Sequence, residues 1–168
     1  MITARTALLA SFVVSALAAP ARAGSASGDL TVSATVEDSC AITGGTLAFG
    51  AYDVAHGADV DASTAVTVAC TAGASATITL DQGANPAAGS SDDAPLRRLS
   101  DGGTGFLSYT LYSDAARATV WGNSAGTGKA YTAATSDPID QSVYGRITAN
   151  QLVPLGVYTD HIVATIVF

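Results

Sequence analysis

Apolar residues recur at every second position in short runs along this chain, and no segment keeps a 3.6-residue period over three turns. Clusters of Gly, Asp, Asn, Ser and Pro separate the runs, a pattern that predicts an all-β sandwich. Strands are expected near Leu30–Val36, Thr46–Tyr52, Ala65–Cys70, Ala76–Leu80, Leu107–Tyr112, Val143–Ala149 and Val157–Phe168. The clearest loop signals lie between them, at Gln82–Asp93, Ser100–Gly105 and Gly122–Gly128. There is no repeat of fixed period and no linker that would divide the chain into two domains.

Two of the runs carry most of the functional information. In Leu30–Glu37, Leu30, Val32, Ala34 and Val36 point one way and Thr31, Ser33, Thr35 and Glu37 the other. A flexible Gly24–Gly28 lead precedes it. The C-terminal run is apolar on both faces: Ile162, Ala164, Ile166 and Phe168 on one, Val163 and Val167 on the other. Such a strand is expected inside a sheet, with a neighbour on each side. No further strand pattern follows to supply one of those neighbours.

The N-terminus changes how the rest is read. Arg5, an uncharged run over Ala7–Ala19 and the small residues of Ala21-Arg22-Ala23 form a secretory signal over Met1–Ala23, with cleavage expected after Ala23. The apolar run is shorter than the ~20 residues a membrane-spanning helix needs, and no later segment is long enough. Cleavage leaves 145 residues with 5 basic and 14 acidic side chains, an acidic exported domain with little to offer a nucleic acid. Of the 168 residues 34 are Ala, so the core is expected to be thin. In an oxidising compartment Cys40 and Cys70, the only cysteines, are expected to pair. The two histidines and the absence of C-x-x-C spacing speak against a redox or metal role.

Several motif-like features carry no chemistry in this context. Gly122-Asn-Ser-Ala-Gly126 matches G-x-S-x-G, with Asp137 and His161 following in hydrolase order, but no helical pattern follows Ser124 to build a nucleophile elbow. Gly126-Thr-Gly-Lys129 lacks the first glycine of a phosphate loop, since Asn123 stands there, and Ala130 replaces the magnesium-binding hydroxyl. Asp59, Asp61, Asp92 and Asp93 lack the spacing of a calcium loop. Tyr109, Tyr112, Trp121 and Tyr144 could form a sugar-binding surface, but are expected instead to fill a core otherwise made of Ala and Val. No catalytic residue, metal site or cofactor is expected.

The order and spacing of short segments resemble the spore coat protein U family, which includes the pilins of archaic chaperone–usher pili. The matching segments are Cys40-Ala-Ile, Leu47–Tyr52, Val66–Gly73, Ile78–Gly83, Arg97–Leu99, Leu107–Asp114, Trp121-Gly122, Val143–Ile147, Gln151 and Gly156–Asp160. The resemblance implies an incomplete immunoglobulin-like β-sandwich completed by donor-strand complementation. Residues 24–37 would then be an N-terminal donor segment, with Leu30, Val32, Ala34 and Val36 entering pockets, and residues 38–168 the pilin domain. The acceptor groove would run along Ile162, Ala164, Ile166 and Phe168. The implied partners are a periplasmic pilus chaperone, an outer-membrane usher and identical or related pilin subunits in a head-to-tail polymer. The implied location is the cell surface, reached through the periplasm, with a role in adhesion and biofilm formation. A secreted spore or cell-coat protein of the same family, or a monomeric carbohydrate-binding module, are the alternatives. A plainer reading of Leu30–Val36, as the first strand of its own domain, also stands at this point.

Overall fold

A computed structural model of the chain describes residues 22–55 and 57–168. The expected signal segment falls outside the described residues as far as Ala21. The chain divides into two compact units, Met1–Thr35 and Val36–Phe168.

In the first unit, residues 22–35 form no strand, and Leu30, Val32 and Ala34 are exposed. Val36, at the start of the second unit, is equally exposed. The strand expected over Leu30–Val36 is therefore absent. Alternation gives a segment one apolar face, but a strand exists only once a partner accepts its backbone hydrogen bonds.

The second unit is all-β, with no helix among the described residues. Its strands are β1 (Cys40–Thr43), β2 (Val60–Cys70), β3 (Ser75–Leu80), β4 (Arg97–Ser100), β5 (Phe106–Tyr112), β6 (Lys129–Thr132), β7 (Ile139–Ile147) and β8 (Ala164–Val167). They build a five-stranded sheet in the order β1-β2-β7-β5-β4 and a three-stranded sheet in the order β6-β3-β8, with every ladder antiparallel. The inward positions are those of the alternation: Val66 and Val68 on β2, Ile78 and Leu80 on β3, Leu107, Tyr109 and Leu111 on β5, Val143 and Ile147 on β7. Trp121, fully buried, fills the space between the sheets and donates its indole N–H to the Ile78 carbonyl at 2.7 Å.

Four strands were legible from alternation, namely β2, β3, β5 and β7. Three short ones, β1, β4 and β6, were not, because four residues show too little pattern to register. The strand expected at Thr46–Tyr52 is instead a crossing segment. Leu47 and Phe49 pack across Gly145 of β7, where a Cβ would stand 2.7 Å from Phe49 Cζ. The Tyr52 hydroxyl accepts from Gln151 N at 2.9 Å. Alternation here reflects burial without a ladder.

The C-terminal run also departs from expectation. Only Ala164–Val167 is strand, and it is an edge: β8 pairs with β3, and among the described residues no ladder forms on its other side. Val163 and Val167, expected to be covered, are 48% and 61% exposed. The cause is a change of sheet. Thr159 bridges Ser100 at the edge of the five-stranded sheet through bonds of 2.8 and 2.9 Å. Val163 then bonds Asp81 at the end of β3, so the run crosses from one sheet to the other.

Two of the four aromatics expected in the core are elsewhere. Tyr109 and Trp121 are buried, but Tyr112 and Tyr144 face each other in register on the outer face, with the Arg117 guanidinium over the Tyr144 ring. Each lies one residue off the inward set, and parity within a strand decides the face.

Candidate functional site

The crossing segment and the last strand leave a groove between them, with a volume of about 560 Å³. Ile42, Gly44, Gly45, Thr46, Leu47 and Phe49 form one wall, and Asp160, His161, Ile162, Val163 and Ala164 the other. The floor is core: Val66, Leu80, Leu99, Tyr109, Leu111 and Val143. These floor residues other than Leu99 remain buried, so the groove is a concavity that lies over the core without laying it bare. β8 meets the groove at Ala164, and as an edge strand it offers backbone groups of the kind that recruit another strand. Ile162 and Ala164, expected in the groove, line it. Ile166 packs instead beside the Cys40–Cys70 disulfide, and Phe168 is 56% exposed and does not line the groove. The groove is shorter than the C-terminal run because Val157–Thr159 serve the other sheet before it and the residues after Ala164 pair along β3 beyond it.

A polar node holds the Asp160 end. The Tyr109 hydroxyl donates to Asp160 Oδ2 at 2.7 Å, and Asp160 Oδ1 accepts from Ala84 N at 2.9 Å. Asp81 Oδ1 accepts from Gly83 N and from Val163 N, both at 3.0 Å. Gly83 has φ +79°, and a Cβ there would lie 2.2 Å from Asp160 Oδ2. Burial, followed by the bond to Asp160, raises the Tyr109 hydroxyl well above the ordinary tyrosine range. Beneath the node Arg97, 1% exposed, donates to the carbonyls of Asp81, Leu80 and Trp121 at 2.7, 2.7 and 2.8 Å. Its pKa is lowered by burial, while the nearby Tyr109, Asp81 and Asp160 oppose that shift. In the sequence Arg97 and Asp81 stand out only as members of the segments Arg97–Leu99 and Ile78–Gly83. Their joint role is not visible from sequence spacing, although an arginine at an inward strand position of a charge-poor chain is a usable signal.

At the other end Cys40 and Cys70 are joined as expected, directly opposite each other in the β1–β2 register. The remaining polar candidates are occupied structurally. Arg146 grips Asp61 through two bonds of 2.7 and 2.8 Å and lies 3.4 Å from Asp59, and Arg117 adds a contact to Asp61 at 3.2 Å. Asp92 accepts from Gln82 and Asn123, and Asp93 bonds the Ser124 hydroxyl. Ser124 itself sits in a tight turn closed by Thr127 and Gly128, not on a strand-to-helix elbow. Among the described residues no group of His, Cys, Asp or Glu gathers to hold a metal ion, and no helix is long and apolar enough to cross a membrane.

The site is a groove over the core of an all-β fold, and the carboxylates around it are engaged in hydrogen bonds within the fold. The chain belongs to the Spore Coat Protein U domain family, whose pattern matches residues 26–165. It is similar to Protein U of Myxococcus xanthus, 42% identical over 159 residues that cover 89% of this chain and 88% of the relative. In fold it is similar to a chain of the CsuC–CsuE chaperone–tip adhesion subunit pre-assembly complex from the archaic chaperone–usher Csu pili of Acinetobacter baumannii. That match has a TM-score of 0.54 at 18% identity and covers 80% of this chain and 40% of the solved one. The present chain thus spans two fifths of that solved chain's length. Its family is one of structural proteins, not enzymes, and its fold is shared with a chain of that pilus complex.

Proposed function

We propose that this chain is the structural subunit of a secreted surface pilus, assembled by the chaperone–usher pathway and polymerised by donor-strand exchange. The observation that carries the reading is a pair of complementary deficits. Val66, Tyr109 and Val143 floor the groove, while Leu30, Val32 and Val36, on one face of a period-two run that also includes Ala34, are 87%, 83% and 83% exposed. Laying that segment of one copy along β8 of the next would give both backbones partners and both apolar faces cover. Burying a Leu or Val contributes roughly 1.5–3 kcal/mol each, so the three together contribute several kcal/mol before the ladder is counted. Such a contact is head-to-tail and does not close, so it propagates as a fibre. An unfilled groove is an aggregation hazard, which is the need a periplasmic chaperone strand would meet before an outer-membrane usher exchanges it. The chain would reach the cell surface by this route and support adhesion and biofilm formation there.

A second reading has its own support. The 42% identity to Protein U and the family's spore-coat description favour a coat polymer built by the same strand exchange. Deleting Gly24–Val36 tests the shared mechanism: polymers should vanish while chaperone binding persists, and unchanged assembly would exclude it. Immunogold labelling then distinguishes filaments extending from cells from a layer confined to the spore or cell coat.

A further inference from the structure

We infer that the loop Gln151–Tyr158 is the surface against which the body of the neighbouring copy seats in the polymer. The inference rests on the donor-strand reading above. Leu152, Leu155 and Val157 are 89%, 106% and 83% exposed, three large apolar side chains within six residues. The loop is held in place. Gln151 accepts from Ser108 N at 2.8 Å and donates to the Ser108 carbonyl at 2.9 Å, and the Tyr158 hydroxyl donates to the Pro154 carbonyl at 2.8 Å. Val153 and Tyr158 pack against the core, so the outward residues are displayed from a fixed base. A pinned cluster of this kind marks an interaction surface.

Chain length and direction name the occupant. The loop leads through Thr159 into Asp160 and His161, so it stands at the end of the groove where the C-terminal run enters; that run last lines the groove at Ala164, and Ile166 beyond it packs beside the disulfide. Every ladder in the fold is antiparallel, and antiparallel pairing is the more stable per residue. A donor lying antiparallel to β8 therefore places its Val36 at the Asp160 end. Only Glu37, Asp38 and Ser39 separate Val36 from Cys40, the first residue of β1. Four fully extended steps reach about 14 Å, so the disulfide-bearing end of the donor copy cannot stand clear of the acceptor. It must come to rest beside the groove mouth, where the loop presents its three apolar side chains. The partner is a second copy of this chain, and the part of it that docks is the end formed by β1 and the Thr71–Ala74 turn, which Ser39 already holds through its carbonyl.

The test places a benzophenone amino acid at Leu155 in the full-length chain, made with its chaperone and usher, and irradiates purified polymers. The expected result is a cross-link from position 155 to residues 37–43 or 71–74 of a second copy. It should be lost in the monomer lacking Gly24–Val36. Polymers that form but give no cross-link, or one to another part of the neighbour, overturn the inference and leave donor-strand exchange standing. If the unmodified chain forms no polymer, both fall. Should the probe at 155 impair folding, the same probe at Leu152 reports on the same contact.

Discussion

The hydroxyl of Tyr109 and the carboxylate of Asp160 meet at 2.7 Å, joining β5 of the five-stranded sheet to the segment that becomes a wall of the groove. Through this bond a residue of the core fixes the position of a chain that is otherwise on its way between two sheets. Folded-state burial and this bond raise the Tyr109 pKa. A raised value means that the stabilisation is complete below the unfolded-state pKa, about 10, and is lost as pH climbs from there toward the folded value. Unfolding by urea at a series of alkaline pH values should show this fall, and Tyr109→Phe should flatten it while lowering stability near neutrality by about 1 kcal/mol. An unchanged alkaline limb in the variant would show that the bond does not matter.

Gly83 stands where both backbone and space exclude a side chain, with φ +79° and Asp160 at the site of any Cβ. Gly83→Ala should destabilise by more than about 1 kcal/mol, by strain and by displacing Asp160 from Tyr109. Gly44→Ala, where a Cβ meets nothing within 4 Å, is the matched control and should be near neutral. The single Trp121, fully buried, reports both transitions by fluorescence.

The Cys40–Cys70 bridge closes a sequence separation of 30 residues, for which chain entropy gives roughly 3–4 kcal/mol. In a domain whose buried side chains include so many of Ala and Val size, that is a large fraction of a typical net stability. Denaturation with and without reductant should differ by about this amount, and equal midpoints would contradict it.

Asp61 is held below the usual carboxylate range, first by its bond to Arg146 and then by the charge of Arg117, with desolvation opposing both. A lowered folded value means stabilisation that is present above the unfolded-state pKa, about 3.9, and lost as pH falls through the folded one. The pair is partly exposed, so its effect is small and screened by salt. Asp61→Asn should flatten the acid limb of a urea titration at low ionic strength and change little at high salt.

On the donor-strand reading, Val32→Asp should leave the monomer's unfolding midpoint unchanged, because Val32 is 83% exposed there. It should nevertheless abolish or sharply shorten polymers, because a lone carboxylate would have to enter an apolar groove. Sedimentation of assembled material against a wild-type control measures this. Normal polymers from the variant would contradict a pocket role for that position.

The sequence by itself determined the class of fold, the four long strands, the disulfide partners and the family. These features are local or compositional: period-two alternation over six or more residues, a pair of cysteines and a series of spaced segments. Tertiary structure alone decided that Leu47–Phe49 is a wall instead of a strand, because Gly145 makes room for side chains where no ladder forms. It also decided that Val157–Phe168 is divided between two sheets and ends as an edge, since its apolar residues serve one sheet at Thr159 and the other from Val163 onward. The node of Asp81, Arg97, Tyr109 and Asp160 joins residues up to 79 positions apart, a meeting that sequence distance conceals. Alternation records which face of a segment is apolar. Which neighbour covers that face is set by long-range pairing, and here that pairing leaves a groove over the core.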